Sequence, residues 1–504
     1  MVIDIIAELM KPTMFLLIIA GLTIGNIVGA LPGLTATMTL AVLMPFTYFM
    51  PISSGLILLG SIYIGAMRGG GITAILINVP GTPADIATTF DGFPMAQQGK
   101  ARDALMMSIF GSVMGGLVGT ALLVIACIPL ARVALRFGPP EMFWVSVLGI
   151  SIMVSIAQTS LLKGLISGIF GLMLTTMGVS PLGGETRFTF GIPQLAGGVH
   201  MIAGMIGLYC IPRIIELAQE IRDEKKEVLE LKGSVHEAMW RMIKQWFSNI
   251  AGAMSAVIGS VIGALPGAGS NIAGLVAYDW VKRLSRNPEK FGKGEIKGVT
   301  ASETANNAVV STSLIPTLAF GIPGSPPAAL MLGAILVQGL LPGRRLFTEY
   351  AFETYTFMGG LFLANLLLLP VGMYTSNLLS RVMYLPREVM AAIIGVLSVV
   401  GTISIRGNII DVYLMGIIGV IMYFGGKAGF SPAPAVLGLV LGRLAEQGLT
   451  QSMMLARARG GLFLYFVRRP ITLVLIILTL VSLALPYVQS YYRKRKNRKR
   501  AEVD

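Results

Sequence analysis

Charge is what this sequence has least of. Only 13% of its 504 residues are Asp, Glu, Lys or Arg, about half the share of an ordinary soluble chain. With 54% apolar residues and a mean hydropathy of +0.76, that shortage excludes a soluble globular enzyme, a disordered regulator and a nucleic-acid module. Histidine is nearly absent: His200 and His236 are the only two, and neither stands near a cysteine. No zinc site and no Ser/His/Asp set can be assembled from them. Cys127 and Cys210 both lie in apolar stretches and read as small buried hydrophobes without a disulfide framework. No G-x-x-x-x-G-K-[ST] is present, so the chain does not power anything with its own ATPase, and no H-E-x-x-H is present either. The chain reads as a non-enzyme without a cofactor. The N-terminus carries Asp4 and Glu8 where a signal peptide carries basic residues, and no A-x-A precedes Gly33. Residues 13–31 are therefore expected to be a retained membrane segment.

What fills the sequence is apolar helix interrupted by glycine and proline. Candidate spans or half-spans fall at 13–31, 34–50, 55–79, 104–130, 138–157, 161–180 and 199–215, then at 249–267, 270–281, 299–323, 326–341, 351–378, 386–405, 409–426 and 431–447, with a last one at 471–487. Several are shorter than the ~20 residues of a full span. Broken or re-entrant helices are expected there, with their freed backbone covered by protein or a cavity. The fold class expected is an all-α polytopic membrane protein. The formal charge of +14 fits basic loops on one side. The last fourteen residues, with seven Lys/Arg and two acids, contribute +5 of it. They form a polybasic tail at 488–504 suited to a cytoplasmic C-terminus and anionic lipid rather than nucleic acid.

An internal repeat organises the rest. Gly29-Ala30-Leu31-Pro32-Gly33 returns as Gly263-Ala264-Leu265-Pro266-Gly267, an offset of 234 residues. Pro80-Gly81-Thr82-Pro83 returns as Pro323-Gly324-Ser325-Pro326, an offset of 243. Pro140 with Gly149 returns as Pro386 with Gly395, and Gly178-Val179-Ser180-Pro181 as Gly429-Phe430-Ser431-Pro432. Four matches in one order mark two related halves. The organisation expected is an N-terminal segment (1–12), a first transmembrane repeat (13–215), a charged amphipathic linker (216–248), a second repeat (249–450), a C-terminal transmembrane segment (451–487) and the tail. The loop from Pro45 to Gly55 has no charge, whereas its equivalent carries Lys282, Arg283, Arg286, Lys290, Lys293 and Lys297. Opposite faces for these two loops mean inverted repeats, the plan of secondary transporters. The end of the linker, Met239 to Phe247, pairs aromatics with cations as an interfacial helix does.

Four polar clusters sit inside the apolar segments: 26–37, 260–271, 68–85 and 302–327. A Pro-Gly break frees N–H groups that suit a carboxylate and C=O groups that suit a cation. The candidate substrate residues are Asn26, Gly33, Thr35, Thr37, Arg68, Asn78, Gly81, Thr82, Gly267, Ser270, Asn271, Gly324 and Ser325, the two P-G-[TS]-P breaks being expected to approach each other around the carboxylate. The candidate cation ligands are Ser302, Glu303, Asn306, Asn307 and Asp85, with Glu303 the shallower of the intramembrane charges. Each cluster also admits a packing role, and Arg68 and Glu303 also admit a structural ion pair.

These strings resemble a known family. G-A-L-P-G-L-T-A-T at 29–37, G-I-T-A-I-L-I-N-V-P-G-T-P at 71–83, D-G-F-P-M-A-Q-Q-G-K at 91–100, G-A-L-P-G-A-G-S-N at 263–271, and S-E-T-A-N-N-A at 302–308 followed by G-I-P-G-S-P are similar to the large membrane subunit of the tripartite tricarboxylate transporters. The resemblance runs from about residue 12 to 487. One departure is Thr304, where the family often has Ala. The resemblance implies a bacterial inner-membrane permease importing a tricarboxylate or related carboxylate, with Na+ as coupling ion. It also implies a small membrane subunit and a periplasmic binding protein as partners. A passive anion channel or scaffold subunit is the alternative reading; paired halves with broken helices favour alternating access over it.

Overall fold

The protein is described by a computed structural model covering residues 1–31, 33–134, 136–156, 161–180, 184–219, 234–267, 270–382, 387–457 and 461–484. The linker charges at 220–233 and the polybasic tail lie outside these residues. Helix dominates throughout. The first half contains α1 (Val2–Leu9), α2 (Pro12–Gly29), α3 (Ala36–Thr47), α4 (Ile52–Ile77), α5 (Ile86–Met95), α6 (Ala101–Ala134), α7 (Pro139–Ile156), α8 (Leu161–Thr176) and α9 (Met201–Gln219). A two-residue antiparallel hairpin, Gly178–Val179 with Thr186–Arg187, precedes α9. The second half contains α10 (Val235–Phe247), α11 (Ala251–Ala264), α12 (Ser270–Leu284), α13 (Ile296–Thr312), α14 (Leu314–Phe320), α15 (Pro326–Val337), α16 (Arg344–Thr348), α17 (Ala351–Val382), α18 (Arg387–Arg406), α19 (Ile409–Lys427), α20 (Pro432–Arg457), α21 (Leu462–Val467) and α22 (Pro470–Ala484). Among the described residues seven helices are long and apolar enough to cross a membrane, or eight if α10 and α11, bent by 76°, count as one. The short apolar segments foreseen around the Gly-Pro breaks are short helices here as well.

The chain divides into two compact units. One comprises Met1–Arg132, Arg213–Ala319 and Pro323–Arg406; the other comprises Val133–Pro212, Phe320–Ile322 and Gly407 onward. Each unit draws on both halves of the sequence, so the repeat boundary and the unit boundary are different partitions.

In the first unit, small residues set how closely helices pack. A Cβ at Gly25 on α2 would strike the Ile62 carbonyl of α4, and one at Gly29 would strike Ala66. The second half repeats this: a Cβ at Gly259 on α11 would strike the Ala305 carbonyl of α13, and one at Gly263 would strike Val309. The glycines are related by the offset of 234, and their partners by 243. Gly33 and Gly267, also a repeat pair, both hold a left-handed backbone, with φ of +85° and +77°. Only glycine adopts that conformation without steric cost, and it turns the chain between α2 and α3 and between α11 and α12. The helix α10 lays Trp246 on Gly252 and against Phe110, leaving Trp240 and Phe247 exposed. That is the amphipathic surface helix expected at the end of the linker.

The second unit packs α20 on α7 and α8, with Gly171 and Gly438 at the close approach. Glu141, fully buried on α7, accepts from Arg469 Nε at 2.7 Å, from the Thr472 hydroxyl at 2.6 Å and from the Gly138 N–H at 2.8 Å. This holds the start of α22. Arg187 ties the hairpin to Glu446 at 2.6 Å.

Candidate functional site

The first unit contains a buried polar core along α4 and α13. These two helices are repeat equivalents, and they pack antiparallel. Asn306 Nδ2 lies 3.5 Å from the Met67 carbonyl, and a Cβ at Gly71 would sit 2.6 Å from a Glu303 oxygen. Rising residue numbers on α4 thus meet falling numbers on α13.

Each Pro-Gly break folds back on its own repeat in the same way. The Gly81 N–H reaches the Gly70 carbonyl at 3.3 Å, and the Gly324 N–H reaches the Ser313 carbonyl at 3.2 Å. A Cβ at Gly81 would meet the Gly29 carbonyl, and one at Gly324 the Gly263 carbonyl. The residue after each Gly then caps the next helical turn. Thr82 forms a capping box with Asp85, its N–H 2.9 Å and its hydroxyl 2.6 Å from Asp85 Oδ2. Ser325 Oγ accepts from the Ala328 N–H at 3.3 Å. The backbone donors of Gly81, Thr82 and Gly324, which sequence reasoning offered to a carboxylate, thus have partners within the protein in this conformation. The breaks do not meet at one point. Along α4 one contacts residue 63 and the other residue 70, about 10 Å apart by helical rise.

Arg68, Glu303 and Asp85 are fully enclosed in this core. Arg68, 1% exposed, donates Nη1 to Asn26 Oδ1 at 3.1 Å and Nη2 to Ser376 Oγ at 2.6 Å. Its Nε has no partner, and among the described residues no acid stands within ion-pair distance of it. Glu303 acts on Arg68 electrostatically from beyond that distance, so the two interact through space and not in contact. Glu303 is 0% exposed, because α13 is buried from Gly298 onward. Its carboxylate accepts from Thr88 at 2.6 Å, Ser108 at 3.0 Å and Ser112 at 3.4 Å, and Ser302 meets Thr88 at 2.8 Å. Asp85, also 0% exposed, takes both Thr82 donors on Oδ2 and Asn306 Nδ2 on Oδ1 at 3.0 Å.

Asn307 donates to the Ser112 carbonyl at 2.7 Å and to Asn365 Oδ1 at 3.2 Å, and Asn365 continues to Thr120 and Ser311. The side-chain oxygens of Asn306 and Asn307 are buried without a donor. The Asn306 amide, with its orphaned oxygen, is bonded to the Asp85 carboxylate, and such oxygen ligands are of the kind that suits a hard cation.

The core thus gathers Asn26, Arg68, Gly81, Thr82, Asp85, Ser302, Glu303, Asn306, Asn307, Gly324 and Ser325. Other candidates lie apart from it. Thr35 caps α3 through Met38 N at 3.3 Å, and Thr37 is buried inside that helix. Asn78 is the exposed left-handed C-cap of α4. Gly33 packs against the Arg213 guanidinium. Gly267 turns the chain, and the side chains of Ser270 and Asn271 lie outside the described residues. Sequence reasoning missed Tyr63, Thr88, Asp91, Ser108, Ser112, Asn365 and Ser376. Asn365 and Ser376, eleven residues apart, are three helical turns apart on one face of α17, a usable signal; Tyr63 sits among apolar neighbours and gave none.

Residues 15–437 match the tripartite tricarboxylate transporter TctA family. The chain is 37% identical over 478 residues to an uncharacterized 52.8 kDa protein in the TAR-I ttuC' 3'region of Agrobacterium vitis, covering 94% of this chain and 93% of that protein. It is 36% identical over 237 residues to an uncharacterized protein in the TAR-II ttuC' 3'region of the same organism, covering 47% of this chain and 97% of that protein. No solved structure matches.

Proposed function

The chain belongs to the tripartite tricarboxylate transporter TctA family, and from that premise we propose that it imports an organic carboxylate by alternating access, driven by a sodium gradient. As a multi-pass membrane protein of this family it works within a three-part system. In our reading it lies in the bacterial inner membrane with its C-terminus cytoplasmic. A small membrane subunit accompanies it, and a periplasmic binding protein delivers the substrate. The observation that carries the substrate reading is Arg68, a buried guanidinium with an unused Nε and no acid in ion-pair contact with it. Glu303 acts on this guanidinium only through space, so its open Nε donor is left for a charge-assisted hydrogen bond to an arriving carboxylate. Thr82 and Ser325 supply neutral hydroxyls near the breaks, and a rearrangement that frees the backbone donors of Gly81, Thr82 and Gly324 adds to them. Sodium is a co-substrate held by Asp85, Glu303, Ser302, Asn306 and Asn307, whose orphaned oxygens fit it. The antiparallel packing of the equivalent helices α4 and α13 supports inverted repeats. If those helices cross the membrane, their pseudo-twofold axis lies in its plane.

Uptake of labelled di- and tricarboxylates by cells carrying the chain with its two partner subunits, with and without sodium, tests the reading. Arg68→Met should abolish uptake at normal membrane levels, and Arg68→Lys should weaken apparent affinity about tenfold through lost bidentate geometry. Wild-type-like kinetics in Arg68→Met would remove Arg68 from the substrate path. Accumulation against a gradient separates a transporter from a passive anion channel. Thiol labelling at Ser53→Cys and Arg286→Cys, in a chain lacking Cys127 and Cys210, should come from opposite sides of the membrane.

A further inference from the structure

The two breaks are each held by a residue from the other repeat, and the two holding residues are repeat equivalents. Tyr63 on α4 hydrogen-bonds Ser325 at 3.0 Å, and Ser325 donates to Ser313 at 3.3 Å. Asn306 on α13 donates to Asp85 at 3.0 Å. Position 63 plus the repeat offset of 243 is position 306, and Thr82 plus the same offset is Ser325. The first repeat therefore latches the second break, and the second repeat latches the first, as the pseudo-twofold axis requires.

The chemistry of the two latches differs. The first break carries a carboxylate, Asp85; its equivalent at the second is Ala328. The first latch is an amide, the second a phenol. The Asn306 amide offers its nitrogen to two acceptors, Asp85 Oδ1 and the Met67 carbonyl, while its own oxygen has no donor. Turning that amide by half a rotation would bring three oxygens to face one point, which favours a hard cation. The phenol latch, with no acid within the triad Tyr63–Ser325–Ser313, offers a cation nothing comparable.

We propose that Tyr63–Ser325 and Asn306–Asp85 are paired latches opened in alternation, and that the coupling cation acts on the Asp85 latch alone. This rests on the transport reading above. Tyr63 is a positioning residue in it, holding the second break without touching the cation.

The test uses the full chain with its partner subunits in native membranes, after replacement of Cys127 and Cys210. Single reporters Ala84→Cys and Ala328→Cys, both at buried positions beside the breaks, are probed with a thiol reagent. Tyr63→Phe should raise labelling of the 328 reporter about threefold or more and leave the 84 reporter unchanged, because one neutral hydrogen bond is lost. Asn306→Ala should do the reverse, and should raise the sodium concentration for half-maximal uptake about tenfold, which Tyr63→Phe should not. Sodium should slow labelling at 84 only. Where a cysteine variant does not assemble, amide hydrogen exchange at 82–86 and 325–329 reads the same openings. Equal effects of either substitution on both breaks would overturn the paired latches, as would a structural loss that only scales with membrane level. Sodium protection of both breaks or neither, in a chain whose uptake needs sodium, would overturn the assignment of the cation. Uptake that ignores sodium would instead sink the coupling reading, and absence of uptake by the unsubstituted chain would sink transport.

Discussion

Asp91 offers a test of the structure that needs no transport assay. Its carboxylate, on α5 and 0% exposed, holds the basic loop that precedes α13. One oxygen, Oδ1, accepts from the backbone N–H groups of Gly292 at 2.8 Å, Gly294 at 2.9 Å and Glu295 at 2.8 Å. The other, Oδ2, accepts from the Tyr278 hydroxyl at 2.8 Å. Asp91→Ala removes all four acceptor interactions. The three loop donors lie near solvent and can be rehydrated, so each costs about 0.5–1 kcal/mol net, while the buried Tyr278 hydroxyl costs about 1–3 kcal/mol if left unpaired. A total of about 4 kcal/mol is a shift of roughly a thousandfold in the loop's open population. Asp91→Asn keeps one acceptor oxygen but loses the charge, and should fall near half that free energy, about 2 kcal/mol. Trypsin cuts the opened loop at Lys290 and Lys293, and nicking tracks the open population when reclosing outpaces cleavage. Purified protein in detergent should be nicked in the order Asp91→Ala, Asp91→Asn, wild type. The Gln98 bond to the Lys293 carbonyl at 2.8 Å remains in all three. A nicking rate for Asp91→Ala within threefold of wild type would refute the anchoring role.

The helix contacts of the two repeats should fail alike: Gly25→Leu and Gly259→Leu should each abolish the folded peak in size-exclusion chromatography, because their side chains strike the Ile62 and Ala305 carbonyls of the facing helices. In the second unit, Glu141→Ala should destabilise by about 1–3 kcal/mol, because it leaves the buried Thr472 hydroxyl without an acceptor and frees the partly exposed Arg469; a thermal-denaturation midpoint unchanged from wild type would count against this. Asn365→Leu should lower stability by about 1–3 kcal/mol through the stranded Asn307 amide, read from the same melt, and should leave the sodium dependence of uptake in place.

The all-α membrane fold was legible because its signals are additive along the chain. Long apolar runs specify helices whatever their partners, and the Gly-Pro breaks mark where runs stop. The repeat was legible for a similar reason. Gly29 and Gly263 are fixed by close backbone approach, and Gly33 and Gly267 by positive φ, so both pairs of positions stayed glycine in each half. Enclosure was much less legible. Glu303 comes only six residues after the charged Lys297, yet α13 is enclosed by α4, α5, α11 and α12 almost from its start. No local pattern reports how many neighbours cover a helix.

The site divides along the same line. Residues that repeat, such as Thr82 with Ser325, could be found by aligning the halves. Residues that break the repeat could not be recognised as partners, because their meaning lies in the departure. Tyr63 and Asn306 occupy equivalent positions with unlike side chains, and so do Asp85 and Ala328. The hydrogen bonds of each pair cross from one half to the other, a relation the one-dimensional alignment cannot display. The close helix approaches therefore recur in both halves while the charge does not. A perfectly symmetric pair of breaks would bind an ion equally at both ends of the α4–α13 pair and give its gradient no preferred end on which to act. In the coupling we propose, a carboxylate at one break only, Asp85 against Ala328, supplies that distinction.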